Sequence, residues 1–190
     1  IALVNEFSTI CSSAKIDVFE VIKAASTKPY GFMPFKPSIG IGGHCIPVDP
    51  MYLTWWARQN GRSAPLIESA DSINQAMPGY VAERALKMID PLNTNPKILI
   101  MGVAYKPGIS DFRETPALEL KNYLIAKGAI VAWHDPLVST WEGSKSVDLN
   151  WDCDVAILAT KQPDMKIDEL VSKGIQVLDC TNSFSLIPGV

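Results

Sequence analysis

Apolar residues recur at helical spacing from the very start of the chain. The 3.6-residue period predicts helix over residues 1–25, with a break around residues 12–16, where the period is interrupted. Asp17 is suited to cap the second helical piece. No capping residue precedes Ile1, so we expect the chain to start inside a helix and to lack an upstream segment. The apolar stripe contains Leu3, Phe7, Ile10, Cys11, Val18, Val21 and Ile22.

Two further helical segments follow a loop whose apolar residues have neither the helical nor the strand period. Asp49-Pro50 resembles an N-cap followed by proline at the first helical position, and predicts a helix that ends at Gly61. Residues 65–90 form the next helical stretch, and we expect Pro78-Gly79 to kink or restart it. Its apolar stripe contains Ile67, Ala70, Ile73, Ala76 and Met77.

Short apolar runs alternate with helical segments in the second half of the chain. The runs are KILIMGV (97–103), AIVAWHDP (129–136), DVAILAT (154–160) and IQVLDCT (175–181), and the helical segments are TPALELKNYLIAKG (115–128) and KIDELVSKG (166–174). This alternation predicts a parallel sheet covered on both faces. The predicted fold class is α/β, with an all-helical domain in residues 1–92 and a Rossmann-like parallel-sheet domain in residues 93–190. The boundary is expected in residues 91–96.

Composition narrows the function classes. The 190 residues are 47% hydrophobic and 19% charged, with a net charge of −3, so no basic field is present for nucleic acid or an anionic membrane. We see no apolar run of the ~18 residues that span a bilayer and no signal peptide. The four cysteines form no CxxC pair and only two histidines are present. We therefore expect no metal site, and reduced thiols in a cytoplasmic protein.

Residues 26–50 are rich in proline, glycine and aromatic side chains, which favours an ordered functional loop. The stretch GGHCIPVDP (42–50) allows two interpretations of Cys45. Glycines before it permit close approach of a ligand, a following helix N-terminus favours a thiolate, and Asp49 lies four residues on. Alternatively, Cys45 is a buried packing residue, as free cysteines commonly are. Packing is the expected role of Cys11, Cys153 and Cys180.

The two histidines leave a Cys-dependent hydrolase open as a second function class. Adjacent side chains rarely point the same way, so we expect His44 to make a structural hydrogen bond in the loop. The general base of a hydrolase would then have to be His134, which lies in the other domain. A third class is a non-catalytic nucleotide-binding or assembly module.

The segment GVAYKPGISDFRETP (102–116) lies where parallel-sheet folds bind nucleotides, between a strand and a helix. It contains neither G-x-G-x-x-G nor a P-loop. Lys106 and Arg113 could supply positive charge to a phosphate-bearing ligand, or could be solvated loop charges.

Three motifs together resemble the nucleotide-sugar 6-dehydrogenases, the family of UDP-glucose, UDP-N-acetylhexosamine and GDP-mannose dehydrogenases. They are VNEF (4–7), TKPYGFMPFKPSIGIGGHCIPVDP (27–50) and MGVAYKPGISDFRETPALEL (101–120). The resemblance implies a central helical domain followed by a nucleotide-sugar-binding domain, with the amino-terminal NAD-binding domain absent. It also implies a homodimer that pairs through the central helices.

The family's reaction oxidises the C6 hydroxyl of the sugar to a carboxylate with two NAD per turnover. A cysteine forms a thiohemiacetal with the intermediate aldehyde and is released when water hydrolyses the resulting thioester. By resemblance, Cys45 is that nucleophile and Asp49 positions water or protons. Tyr105 and Lys106 would contact the UDP-sugar, and Arg113 would reach NAD. The backbone that would wrap the sugar and diphosphate belongs to Lys36, Pro37, Ser38, Ile39, Gly40, Ile41 and Gly42.

The sequence also departs from the family pattern. The family's catalytic lysine and asparagine would lie upstream of Ile1, and Asn5 is not that asparagine. Thr181 stands where many relatives carry an arginine that binds the nucleotide sugar, and Lys28 or Pro29 stands where an arginine reaches the neighbouring subunit. The TKPYGFMPF stretch looks most like members that act on UDP-N-acetylhexosamines.

Overall fold

The structure is a computed structural model that describes residues 1–183. Its first two helices, α1 (Ala2–Ser13) and α2 (Val18–Ala25), confirm the predicted break. The carboxylate of Asp17 caps α2 by accepting a hydrogen bond of 2.8 Å from the Phe19 amide. A small apolar cluster beneath α2 contains Val18, Phe19 and Ile22, with Val4 and Cys11 packed against it.

Helix α3 (Asp49–Gln59) begins one residue earlier than predicted. Val48 is the N-cap, and the side chain of Asp49 does not cap the helix. The reason is a turn in which the Cys45 carbonyl accepts hydrogen bonds from the amides of Val48 and Asp49, so that Asp49 is already in the first helical turn. Gly61, with φ of +68°, follows the end of the helix and is suited to a left-handed C-terminal stop.

Helix α4 (Pro65–Lys87) runs without interruption through Pro78, so the predicted restart at Pro78-Gly79 was wrong. A proline inside a helix forfeits the hydrogen bond to the carbonyl four residues before it. Burial compensates here, because the C-terminal half of α4 packs into the core of the sheet. The buried residues of α4 are Met77, Pro78, Val81, Ala82 and Ala85, whereas the predicted stripe residue Ala76 is exposed.

The second half of the chain is the predicted parallel sheet. In chain order its elements are β1 (Lys97–Met101), α5 (Pro116–Ala126), β2 (Ile130–His134), β3 (Thr140–Trp141), β4 (Ser144–Lys145), β5 (Val155–Leu158), α6 (Ile167–Ser172) and β6 (Gln176–Asp179). Four strands form a parallel sheet in the order β2-β1-β5-β6. The short antiparallel hairpin of β3 and β4 was not predicted.

Apolar cores cover both faces of this sheet. One core joins β1, β5 and β6 to α4 and α5, and the other joins the opposite face to α6. Helix α4 therefore contributes to the sheet core although it precedes the boundary expected at residues 91–96, and that boundary stays a prediction. Within residues 1–183, no helix is long and apolar enough to span a membrane.

Candidate active site

The Cys45 loop, which we define as residues 36–45, is attached to the helical half of the chain through Asn5. The buried Asn5 side chain accepts a hydrogen bond of 3.0 Å from the Ser38 amide and donates one of 2.9 Å to the Asn74 side chain. The Ser38 hydroxyl donates to the Gly40 carbonyl at 2.6 Å. These bonds fix the first half of the loop against α1 and α4.

The other side of the Cys45 loop lies directly against the sheet half. A Cβ on Gly42 would be 2.5 Å from the Tyr105 Cβ and 3.0 Å from the Glu114 carbonyl oxygen. A Cβ on Gly40 would be 2.9 Å from the Pro116 Cβ. Both contacts are too close for any residue but glycine. The Gly43 amide also donates to the Arg113 carbonyl at 3.1 Å.

Cys45 lies at the end of this loop, four residues before the first residue of α3, and is exposed. Its carbonyl accepts a hydrogen bond of 2.8 Å from the Asp49 amide, which places Asp49 one turn further on, also exposed. The exposed thiol does not fit the packing interpretation, which requires burial.

Charged groups of the segment that follows β1 lie near the thiol. Arg113 hydrogen-bonds Asp111 through its Nε at 3.0 Å. These hydrogen bonds, foremost, lower the pKa of Asp111 to about 2, with a small contribution from His44. Asp111 in turn raises the pKa of Arg113, to which Tyr105 and Cys45 contribute less.

His44 does not behave as predicted. Its ring is exposed, and no hydrogen bond joins it to a residue within 1–183. The preceding Gly43 packs against Tyr105 while the His44 side chain extends into solvent, where water can satisfy the ring nitrogens. His134 is held by the sheet, where its Nδ1 lies 2.7 Å from the Val147 carbonyl.

The loop that carries Tyr105 and Lys106 is fixed by two buried polar residues, Asp135 and Gln162, whose role was not predicted from the sequence. Asp135 accepts hydrogen bonds from the amides of Val103 (2.9 Å) and Ala104 (3.3 Å). Gln162 accepts from the Gly108 amide at 2.7 Å, donates to the Ile109 carbonyl at 2.9 Å, and also donates to Asp135 at 3.3 Å. An acid directly after β2 was a visible signal, whereas nothing in the sequence marks Gln162. Tyr105 is half-buried against the glycines and Lys106 is exposed.

The described residues do not fit NAD bound as in a dinucleotide fold. Such folds place the pyrophosphate at the helix N-terminus after β1 and the ribose on an acid after β2. Here Pro116, at the start of α5, is in contact with Gly40. Asp135 is buried and occupied by backbone amides. The space beside Gly102 is filled by the Thr160 carbonyl, 1.8 Å from where a Cβ would lie.

The remaining predicted residues lie around the Cys45 loop or away from it. Lys36 is exposed and borders a small cavity of about 400 Å³ together with Asn182. Pro37 and Ile39 are buried, and Ile41 lines a cleft of about 1010 Å³ between α1, α4 and the start of α5. Thr181 donates to Asp179 through its amide and its hydroxyl, at 2.8 and 2.7 Å, and so belongs to the turn after β6.

Two cysteines are buried in the sheet half. Burial raises the pKa of the Cys153 thiol to about 11, and burial also raises the pKa of Cys180. Within the described part of the chain, no three His, Cys, Asp or Glu side chains are grouped as metal ligands.

Comparison with known proteins gives two family matches. Residues 1–76 match the central domain of the UDP-glucose/GDP-mannose dehydrogenase family, and residues 99–185 match the UDP binding domain of the same family. Similar proteins include the UDP-N-acetyl-D-mannosamine dehydrogenase of Methanococcus maripaludis, 36% identical over 143 residues, which are 75% of this chain and 32% of that protein. The UDP-N-acetyl-D-glucosamine 6-dehydrogenase of Pseudomonas aeruginosa is 36% identical over 73% of this chain and 33% of its own.

A solved structure is similar over the whole chain. The structure of UDP-D-ManNAc dehydrogenase from Pyrococcus horikoshii has a TM-score of 0.84 and 27% identity, and the match covers all of this chain and 48% of that one. Among the curated relatives named above, the chain spans about a third of their length.

Proposed function

Since the chain belongs to the UDP-glucose/GDP-mannose dehydrogenase family, we propose that it holds a UDP-sugar and supplies the thiol for oxidation of the sugar's C6 hydroxyl to the uronic acid. The observation that carries this proposal is the contact between the Cys45 loop and the turn after β1. Gly42 and Gly43 lie against Tyr105, and the Gly43 amide bonds Arg113. An exposed thiol and a turn suited to a nucleotide are thus joined in one surface.

The site residues of the proposal follow from this arrangement. The backbone of residues 36–42 would wrap the sugar and diphosphate, with Tyr105 behind the loop and the exposed Lys106 as a cation for the diphosphate. Asp49, one helical turn after Cys45, would orient the water that attacks C6. A UDP-N-acetylhexosamine is the favoured sugar, because the relatives named above act on such substrates.

Cys45 would perform two steps at C6. Its sulfur adds to the aldehyde carbon, so that a C–S bond forms and the carbonyl oxygen takes up a proton as a hydroxyl. After oxidation to the thioester, water attacks the same carbon, the C–S bond breaks, and the carboxylate leaves with the thiol restored. Thiols suit both steps, since a thioester remains hydrolysable.

NAD is the hydride acceptor in this family, and we propose that its site lies outside residues 1–183. The support is the absence of a dinucleotide cradle at α5 described above. Arg113 is the residue of this chain that we propose to reach the cofactor, since it is exposed at the rim of the site. A homodimer through the central helices and a cytoplasmic location complete the proposal.

A binding and activity assay tests this function. By calorimetry the chain should bind UDP-N-acetylglucosamine weakly, and with UDP-N-acetylglucosamine or UDP-glucose plus NAD it should produce no NADH. Robust NADH production would contradict the placement of the NAD site. Joined to an NAD-binding part, the wild-type chain should oxidise the sugar and the Cys45→Ser variant should not; normal oxidation by that variant would exclude Cys45 as the nucleophile.

A further inference from the structure

Asn5 and Asn74 form a polar pair that the proposed chemistry does not use. Asn5 is fully buried at 0% exposure, and its side chain donates one hydrogen bond and accepts one. Its partners are 33 and 69 residues away in sequence, on the loop and on α4. A buried amide that is hydrogen-bonded through both its nitrogen and its oxygen fixes the segments it connects, because breaking either bond leaves a buried polar group unsatisfied.

One bond of the pair holds the entry to the Cys45 loop. The Ser38 amide donates to Asn5, and the Ser38 hydroxyl then donates to the Gly40 carbonyl, so the loop is bonded to α1 and folded on itself at this point. The Gly43 amide holds the far side of the loop against Arg113. The part of the proposed binding backbone from Ser38 to Gly42 therefore lies between two fixed points.

Asn74 contributes in a second way, through its backbone. Pro78 lies four residues later in the same helix and has no amide hydrogen, so the Asn74 carbonyl does not receive the usual helical hydrogen bond from that position. That carbonyl faces Gly40, 3.3 Å from where a Cβ would lie. The C-terminal half of α4 packs in the core of the sheet half. Asn74 therefore connects the Cys45 loop to a helix that is itself fixed on the sheet.

We propose that Asn5 and Asn74 are positioning residues that hold the backbone from Ser38 to Cys45 in its binding geometry before a sugar nucleotide arrives. This inference rests on the proposed function. An ordered loop binds more tightly than one that must be ordered on binding, because the affinity is reduced by the fraction of molecules in the competent state.

The test compares four variants of the chain. Asn5→Ala removes both side-chain bonds, and Asn74→Ala removes one of them at a half-buried position. Asn74→Asp retains an oxygen that accepts from Asn5, and so tests rescue by a conservative substitution. Thr9→Ala is the matched control, since its hydroxyl bonds only within α1 and is exposed.

Two measurements are made on each variant: amide hydrogen exchange of residues 38–43, and the Kd for UDP-N-acetylglucosamine. We expect Asn5→Ala and Asn74→Ala to speed exchange and to weaken binding by about tenfold, whereas Asn74→Asp and Thr9→Ala stay within about twofold of wild type. If Asn5→Ala does not fold, the two Asn74 variants decide.

Unchanged exchange in Asn74→Ala, faster exchange with unchanged affinity, or equal losses in Asn74→Ala and Asn74→Asp would each overturn the inference. If the wild-type chain binds no sugar nucleotide, the proposed function fails, and the exchange rates alone still decide whether the pair orders the loop.

Discussion

The four thiols occupy different environments, and this difference assigns them different chemistry. Cys45 is exposed beside Arg113, Cys11 is half-buried against the α2 cluster, and Cys153 and Cys180 are buried in the sheet half. Only a thiol that reaches solvent can meet a sugar carbon, and thiolate formation in an apolar interior is unfavourable.

A limited reaction with iodoacetamide at neutral pH tests this difference. We expect one thiol per chain to react at least tenfold faster than Cys153 and Cys180, and peptide mapping to identify it as Cys45. Cys45→Ser should abolish this fast reaction, and Cys153→Ser should leave it unchanged. Labelling that begins at Cys153 or Cys180 would contradict the assignment.

The buried thiol of Cys153 also predicts a pH dependence of stability. Its folded pKa of about 11 lies above the ordinary value of 9.0. The contribution of the buried thiol to the free energy of unfolding is therefore fully present below pH 9 and is lost as pH rises toward 11. The destabilisation caused by Cys153→Ala should therefore shrink by about 2 kcal/mol between pH 8 and pH 11. Chemical denaturation at both pH values measures it.

Val177→Ala, in the same core cluster, is the control for this pH effect. It removes no titrating group, so its destabilisation should not change with pH. Equal pH behaviour of the two variants would refute the burial of an un-ionised Cys153.

Among the elements, the Cys45 loop depends on contacts that one added carbon would break. Gly42 has no unusual backbone conformation, and its need for glycine comes only from Tyr105, Glu114 and Pro116. Glycine is therefore required at position 42 by the close contact with the sheet half, and not by the backbone conformation of the turn.

Gly42→Ala should displace the loop from Tyr105 and weaken UDP-N-acetylglucosamine binding by at least tenfold, as calorimetry would measure. Gly31→Ala is the matched control because Gly31, in the same proline-rich segment, has φ of +75° and open space around it. It should cost about 1 kcal/mol in stability and leave binding unchanged. Equal affinities of the two variants would show that the contact with Tyr105 does not matter.

Periodicity predicted the helices and strands well, because each depends on local burial patterns. All four sheet strands and the helix capped by Thr115 lie where the apolar runs placed them. Periodicity did not predict the features that are determined by contacts between residues far apart in the sequence. Helix α4 continues through Pro78 because the sheet core buries it, and Val48 replaces Asp49 as the cap because of the Cys45 turn. The role of Asn5 depends on partners 33 and 69 residues away.

For the whole molecule, exposed apolar side chains on the helical half favour association. Leu3 and Ile10 on α1 are 61% and 58% exposed, and Trp55 and Trp56 on α3 are also largely exposed. Burial of such residues between two copies would contribute favourable free energy.

The chain of 20.8 kDa should therefore sediment as a dimer at micromolar concentration. Leu3→Asp combined with Ile10→Asp should yield monomers, because two carboxylates cannot be buried without partners. Leu92→Asp, in an exposed loop, should remain dimeric. A wild-type monomer, or a dimer that survives the double substitution, would contradict pairing through α1.

The proposed reaction depends on a covalent bond between the Cys45 sulfur and C6 of a bound sugar nucleotide. The most direct measurement is a carbon NMR spectrum of UDP-N-acetylglucosamine 6-aldehyde, labelled with carbon-13 at C6, in the presence of the chain. A new thiohemiacetal resonance with wild type, absent with Cys45→Ser, is the predicted result. Only free aldehyde and hydrate signals in the presence of wild type would contradict the formation of this bond.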